Sequence, residues 1–265
     1  MLKCYIAKTN TRSRWQIVKP IESQVNLLGL CSFLVEKFRV RIVILFGSMA
    51  RNDIDDTSDI DLLLVTSQKL RRREVERTIP KSLLPKGRQI SLSIYSEAEF
   101  SSTYEEGALF FAHLFKEGKV LYDDGFYEQL RARKPFNPSK RKMKMAIKIL
   151  KQRLEVANDL RKFNNLFVGV LADFFSISKN LTYTLLAMNG QFIFDKKKAF
   201  ATLAEKYPNY RKEIRKLRSL EPFFLRNAKG ISKPLPFSPY NCEEKVIEMR
   251  EYVKKLLSVG VTQDG

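Results

Sequence analysis

The sequence predicts an α+β protein in two parts. A first domain of strands and helices (residues 1–130) is followed by an all-α domain (residues 141–265), with a linker at 131–140. Three observations predict this. Short β-branched runs alternate with helical patterns before residue 125. The segment RARKPFNPSK (131–140) carries two prolines and no apolar period. Beyond it, apolar residues recur only at helical spacing.

Taken in order, residues 21–38 place Ile21, Val25, Leu28, Cys31, Val35 and Phe38 at intervals of three and four, an amphipathic helix. VRIVILF (40–46) reads as a buried strand, DIDLLLVT (59–66) as a second and RQISLSIYS (88–96) as a third with period two. KLRRREVERTIP (69–80) reads as a basic surface helix stopped by Pro80, and EAEFSSTYEEG and ALFFAHLFKEG as helical pieces leading to KVLYDDG. In the second part Met143, Ile147, Leu150, Leu154, Ala157 and Leu160 form an apolar stripe opposed by Lys and Arg. Residues 166–190 are apolar nearly all round and end at Asn189-Gly190, which suits a central buried helix. Two shorter amphipathic helices, at 196–208 and 243–257, flank the proline-rich connection GISKPLPFSPYN (230–241).

Composition narrows the functional classes. The 265 residues are 44% hydrophobic and 29% charged, with no apolar run of about eighteen residues to span a membrane and no apolar secretory core at the N-terminus, so a cytoplasmic protein is expected. Cys4, Cys31 and Cys242 form no CxxC pair, and the chain has a single His, which argues against a zinc site. The formal charge of +19 is uneven: residues 1–135 carry net +5 and residues 136–265 net +14. So basic a half suits a polyanion such as RNA or DNA, although a lysine-rich surface is also a thermal adaptation.

Against that charge, five Asp crowd between Asp53 and Asp61 in FGSMARNDIDDTSDIDLLLV (46–65). Asp59 and Asp61, one residue apart on a strand, leave the same face while Ile60 points into the core. Paired carboxylates repel unless a cation lies between them, and Mg²⁺ takes one or two protein carboxylates together with substrate phosphates. Gly47-Ser48 follows the preceding strand, where a glycine lets a ligand approach the backbone, free N–H groups attract phosphate and the serine adds a hydroxyl donor. There is no GxxxxGK[ST]. A DxD alone also arises from turn and capping residues. The order strand, Gly-Ser, about ten polar residues, DxD on a strand is more specific.

This stretch resembles the defining motif of the DNA polymerase β-type nucleotidyltransferase superfamily, and the likeness runs through SIYSEAEF and FKEGKVLYDDG, over about residues 20–125. The resemblance implies a mixed sheet flanked by helices. It further implies Gly47 and Ser48 on the triphosphate of an NTP (ATP the expected one), Arg51 close to phosphate, and Asp59 and Asp61 as the catalytic residues holding two Mg²⁺ ions. One ion would activate the attacking hydroxyl and the other steady the leaving pyrophosphate. As a plain sequence feature Arg51 is equally a surface arginine, and Ser58 holds the turn.

Two positions depart from the family pattern. Its third carboxylate belongs on the third strand, where this chain has Ser91, and residues 86–96 contain no Asp or Glu. A serine hydroxyl is a poor Mg²⁺ ligand and no carboxylate base. Glu97, Glu99, Glu105 and Glu106 follow the strand, each expected to be solvated. Where the family often has Arg-Gly, this chain has Arg51-Asn52, and Asn is the non-glycine residue that best tolerates left-handed backbone. His113, flanked by aromatics, is expected to pack rather than catalyse.

The second part resembles the helical domains of aminoglycoside nucleotidyltransferases and the HEPN domains paired with minimal nucleotidyltransferases. With no histidine it lacks the HEPN ribonuclease motif. Its basic clusters at 140–144, 196–198 and 210–218 suit nucleic-acid phosphates better than a cationic antibiotic. Tyr207 and Tyr210 are either base-stacking or half-buried residues. The expected function is Mg²⁺-dependent transfer of NMP from an NTP to a hydroxyl acceptor such as RNA. The alternatives are a catalytically impaired nucleotide- or nucleic-acid-binding protein, or an antitoxin-type enzyme that places AMP on a protein.

Overall fold

In the computed structural model, residues 22–53, 58–84, 89–156 and 160–261 are described. The first part contains α1 (Glu22–Phe38), β1 (Val40–Phe46), α2 (Gly47–Arg51), β2 (Ile60–Thr66), α3 (Arg72–Thr78), β3 (Ile90–Ser96), α4 (Glu97–Glu105), α5 (Leu109–Glu117), β4 (Lys119–Asp123) and α6 (Phe126–Arg133). The second contains α7 (Lys140–Val156), α8 (Val168–Met188), α9 (Lys196–Lys206), α10 (Arg211–Arg218), α11 (Glu221–Lys229) and α12 (Glu243–Val261). α6 extends to Arg133, so residues 131–133 are helical and the chain between 134 and 139 is irregular.

The sheet has the order β3-β2-β1-β4 and is mixed: β1 pairs antiparallel with β2 and β4, and β2 runs parallel to β3. The central strands β1 and β2 read as continuous apolar runs because both faces are covered. On one face Val43, Leu45, Ile60, Leu62 and Leu64 pack with Leu30 and Leu34 of α1 and Val75 of α3. On the other, Ile42, Ile44, Leu63 and Val65 meet Phe100, Phe111, Leu114 and Leu130 from α4, α5 and α6.

Local chemistry places the helix starts. Ser96 and Glu99 form a capping box on α4. Asp123 accepts N–H bonds from Gly125, Tyr127 and Glu128 at the start of α6. Asp195 caps α9 through the Lys198 N–H at 2.6 Å. In the helical part, α8 is the centre: Leu171, Phe174, Phe175, Leu181 and Leu185 are buried against α7, α9, α11 and α12. The stripe on α7 is buried at Met143, Ile147, Leu150 and Leu154, with Ala157 outside the described residues. Tyr207 and Tyr210 are partly buried against this core, which uses the rings for packing. Among the described residues no helix is long and apolar enough to cross a membrane.

Candidate active site

The register of the sheet brings the motif residues together. Phe46, at the end of β1, lies opposite Asp61 of β2, so Gly47 begins α2 directly beside the Asp61 carboxylate. Gly47 has φ +74°, and a Cβ built there would lie 2.3 Å from Asp61 Oδ2. Both the backbone conformation and the close approach therefore require glycine. Gly47→Ala is expected to cost about 1–3 kcal/mol of stability from the strained backbone and to displace Asp61. Thermal unfolding and ATP titration check it, and the prediction fails if the variant melts and binds like the native chain.

α2 ends at Asn52, whose φ of 63° and ψ of 26° are the left-handed conformation expected for the residue that replaces the family's glycine. The Arg51 guanidinium is taken up by carboxylates, Glu117 at 2.6 Å and Asp53 at 3.0 Å. Burial pushes Glu117 upward, but the neighbouring His113 and Arg51 outweigh it and hold this carboxyl below its ordinary value. His113 stacks on Phe194 with centroids 4.4 Å apart, and its Nε2 lies 2.9 Å from Glu117 Oε2. The histidine packs, as expected, and in doing so joins α5 to the segment before α9. Asp55 and Asp56 lie outside the described residues.

Asp61 and Ser91 are register partners on the parallel strands β2 and β3. Ser91 therefore occupies the position beside Asp61 at which the sequence comparison with the family places a carboxylate. Burial and the adjacent Asp59 raise the Asp61 pKa above the ordinary value, with Lys229, Ser91 and His113 opposing. The four glutamates that follow β3 are engaged elsewhere rather than merely solvated. Glu97 pairs with Arg41 at 2.7 Å, Glu99 caps α4, Glu105 pairs with Arg133 at 2.6 Å and Glu106 with Lys142 at 2.5 Å. β3 separates Glu97 from Ser91 by the length of a strand, about 20 Å.

The helical part closes the site with cations. Lys229, the last residue of α11, places Nζ 2.7 Å from Asp59 Oδ2, and Gly230 ends that helix at φ 67°. Lys196 at the start of α9 pairs with Glu221 at the start of α11, 2.5 Å apart. Lys179 of α8 is close enough to feel the charges of Lys196, Lys229, Glu221 and Asp61. Its ammonium sits 5.3 Å from the centre of the Phe224 ring, and no carboxylate among the described residues is within ion-pair distance. Burial, and then the like charge of Lys196, pull its pKa down, while Asp61 and Glu221 pull it up. Further bonds hold the two parts together: Lys116 Nζ donates to the Phe192 carbonyl at 2.5 Å and Gln89 Nε2 to the Lys229 carbonyl at 3.4 Å.

Sequence reasoning missed Lys179, Lys196 and Lys229 as site residues. α11 is too short to show a convincing period. One signal was present: Lys179 and Asp173 are the only charged residues in the apolar run 166–190, and a lysine in such a helix needs a reason.

Among the described residues no group of three His, Cys, Asp or Glu is arranged to hold a metal. The set that is present, two adjacent carboxylates with a hydroxyl beside one of them, still fits Mg²⁺, whose remaining positions are filled by water and phosphate oxygens. The Asp61 pKa is raised by burial first and by the adjacent Asp59 second, and the Lys229 cation paired with Asp59 only partly offsets this.

Residues 30–125 match the family model described as Polymerase beta, Nucleotidyltransferase. Among solved structures, the chain is similar to the spectinomycin adenyltransferase AAD(9) from Enterococcus faecialis, in a crystal structure with ATP and spectinomycin. The two are 16% identical with a TM-score of 0.52, over 89% of this chain and 98% of that one, a likeness of fold. A toxin-antitoxin structure with AMP-PNP matches at 15% identity and a TM-score of 0.29, over 51% of this chain and 98% of that one. No curated protein matches the sequence.

Proposed function

We propose that this chain, whose residues 30–125 are a nucleotidyltransferase domain of the polymerase β family, moves the nucleoside monophosphate of ATP to a hydroxyl acceptor with the help of Mg²⁺. The observation that carries the reading is the charge arrangement across the cleft. Asp59 immediately precedes β2 and Asp61 lies on it, and Lys179 and Lys229 approach them from the helical part. Carboxylates that repel each other suit a cation, and a half-buried ammonium with no carboxylate partner among the described residues suits an anion. A metal–triphosphate supplies both.

In this reading Asp59 and Asp61 hold the Mg²⁺, Gly47 leaves room for phosphate beside the Asp61 carboxylate, and Ser48 offers its hydroxyl. Bound Mg²⁺ would neutralise the phosphates and lower the pKa of the attacking hydroxyl. Lys229 exchanges Asp59 for a phosphate oxygen when nucleotide enters. Lys179 meets the triphosphate from α8, at no cost of breaking an existing ion pair. Arg51 is held by Glu117 and Asp53 and supports α2 from behind.

Lys179→Met separates this role from a structural one. Burial depresses the Lys179 pKa, so the folded chain binds fewer protons than the unfolded chain below the ordinary lysine value. Stability contributed here rises with pH through that window and is lowest at neutral pH, where the buried charge is retained. Methionine removes the charge at similar volume, so the variant is expected to melt higher at pH 7 while binding ATP about 10–100-fold more weakly, the worth of one charge-assisted hydrogen bond. Unchanged ATP affinity removes Lys179 from the site.

A second reading is favoured by Ser91: the site binds nucleotide and transfers it poorly or not at all. Incubating the protein with labelled ATP and Mg²⁺, first with bulk RNA, then with cell-extract proteins, then with spectinomycin, distinguishes the acceptors. Binding without label transfer to any of them supports the second reading.

A further inference from the structure

α10, with the sequence RKEIRKLR, turns its apolar residues inward: Ile214 and Leu217 are 1% and 0% exposed. Its single acid follows them. Glu213 is buried and paired with Lys255 of α12 at 3.3 Å. Besides Arg218 at the helix end, the outward face presents Arg211, Lys212, Arg215 and Lys216 toward the groove, all exposed, and none of the four has an ion-pair partner among the described residues. These side chains line one wall of an open groove of about 760 Å³. Pro236, from the proline-rich connection between α11 and α12, forms part of its lining, as do the polar residues Asn209 and Ser219. Since α10 leads into α11, the groove lies one helix away in sequence from Lys229 at Asp59.

We propose that this groove seats the phosphate backbone of a single-stranded nucleic acid. Four cations without partners among the described residues, lining a concave surface, are what a phosphodiester chain requires. Arg211 and Arg215, like Lys212 and Lys216, are four residues apart on a helix, about 6 Å along its axis. That is close to the advance of two stacked nucleotides at about 3.4 Å each. A lipid surface fits less well, because the outward face of α10 offers no apolar side chain to the bilayer. Tyr207 and Tyr210 are committed to the core, so the groove reads phosphates rather than bases. As the seat of an acceptor strand the groove rests on the transfer reading above. Its binding is measured without nucleotide, so either can fail alone.

The test is fluorescence anisotropy with a labelled single-stranded RNA of about 16 nucleotides, the upper end of a compact single-strand site, across a salt series. Neutralising Arg211, Lys212, Arg215 and Lys216 to glutamine together is expected to weaken binding at least about tenfold and to flatten the log K against log salt slope by about 2.8, or 0.7 per phosphate contact. These side chains are exposed, and an unchanged far-UV circular-dichroism spectrum and melting temperature verify that the variant is folded. A control removes the same charge from the exposed face of α7, at Lys140, Arg141, Lys148 and Lys151, and is expected to keep most of the affinity. Equal loss in both variants makes net charge, not the groove, responsible and overturns the proposal, as does native affinity in the α10 variant. Single-stranded DNA of the same sequence tells the two nucleic acids apart, and either one binding through α10 supports the groove. Binding to phosphatidylserine vesicles with no binding to either strand overturns it.

Discussion

Asp61→Asn is expected to lower nucleotide transfer by about 10³-fold while raising the melting temperature at pH 7. The loss follows from removing one of two carboxylates that would hold the Mg²⁺. Metal stabilisation of developing charge is worth several kcal/mol, and about 4 kcal/mol is three powers of ten in rate. The gain follows from the apo site. Burial and the neighbouring Asp59 raise the Asp61 pKa, so in the window from the ordinary carboxylate value up to the folded one the native chain binds more protons than the unfolded chain. Stability therefore falls as pH rises through that window, and the deficit is complete above it. An amide carries no charge, so the deficit disappears. Transfer assays with labelled ATP and thermal melts between pH 4 and pH 8 test both halves. A variant that loses activity by unfolding would melt lower, the opposite sign. A fully active Asp61→Asn protein would end the reading of Asp61 as a metal-holding residue.

Much of the first part was legible because its physics is local. β1 and β2 read as continuous apolar runs since helices cover both faces, and Asn52 was readable as a left-handed turn residue from its own chemistry. Ser91 could be set beside Asp61 by a motif alone, and the parallel register of β2 and β3 places it there. The cationic side of the site was not legible for a different reason. Lys229 lies 170 residues after Asp59, on a short helix, and only the packing of α11 against α8 brings it to the carboxylate. Periodicity describes which face of a helix is buried, not which distant strand end its last residue will meet. The exposed face of α10 shows the same limit. The sequence displays a basic cluster with one acid in it, and only the fold turns Glu213 inward to Lys255 and leaves the groove-lining cations without partners among the described residues.

Ser91→Asp separates a slow enzyme from a binding protein. The substitution sets a third carboxylate next to Asp61, whose own charge is already disfavoured by burial and by Asp59. Without metal, the added repulsion is expected to lower the melting temperature at pH 7 relative to the native chain. With Mg²⁺ at a hundred times the variant's dissociation constant, the variant is expected to recover about 2.7 kcal/mol, and the native chain, binding Mg²⁺ more weakly without the third carboxylate, gains less at that same concentration. A carboxylate at this position also supplies the proton acceptor that a serine hydroxyl cannot, and general-base assistance contributes about 10²–10⁴-fold. Transfer is therefore expected to rise by about 10²-fold, measured as labelled nucleotide incorporated with Mg²⁺ and again with Mn²⁺. If the native chain incorporates none while Ser91→Asp does, the native protein is a nucleotide-binding descendant of an enzyme and the transfer reading fails. If the native chain is active and the variant no faster, a base outside β3 serves the reaction. Glu221 is then the residue to replace: it is the carboxylate that the helical part places beside Lys196 and near Lys179.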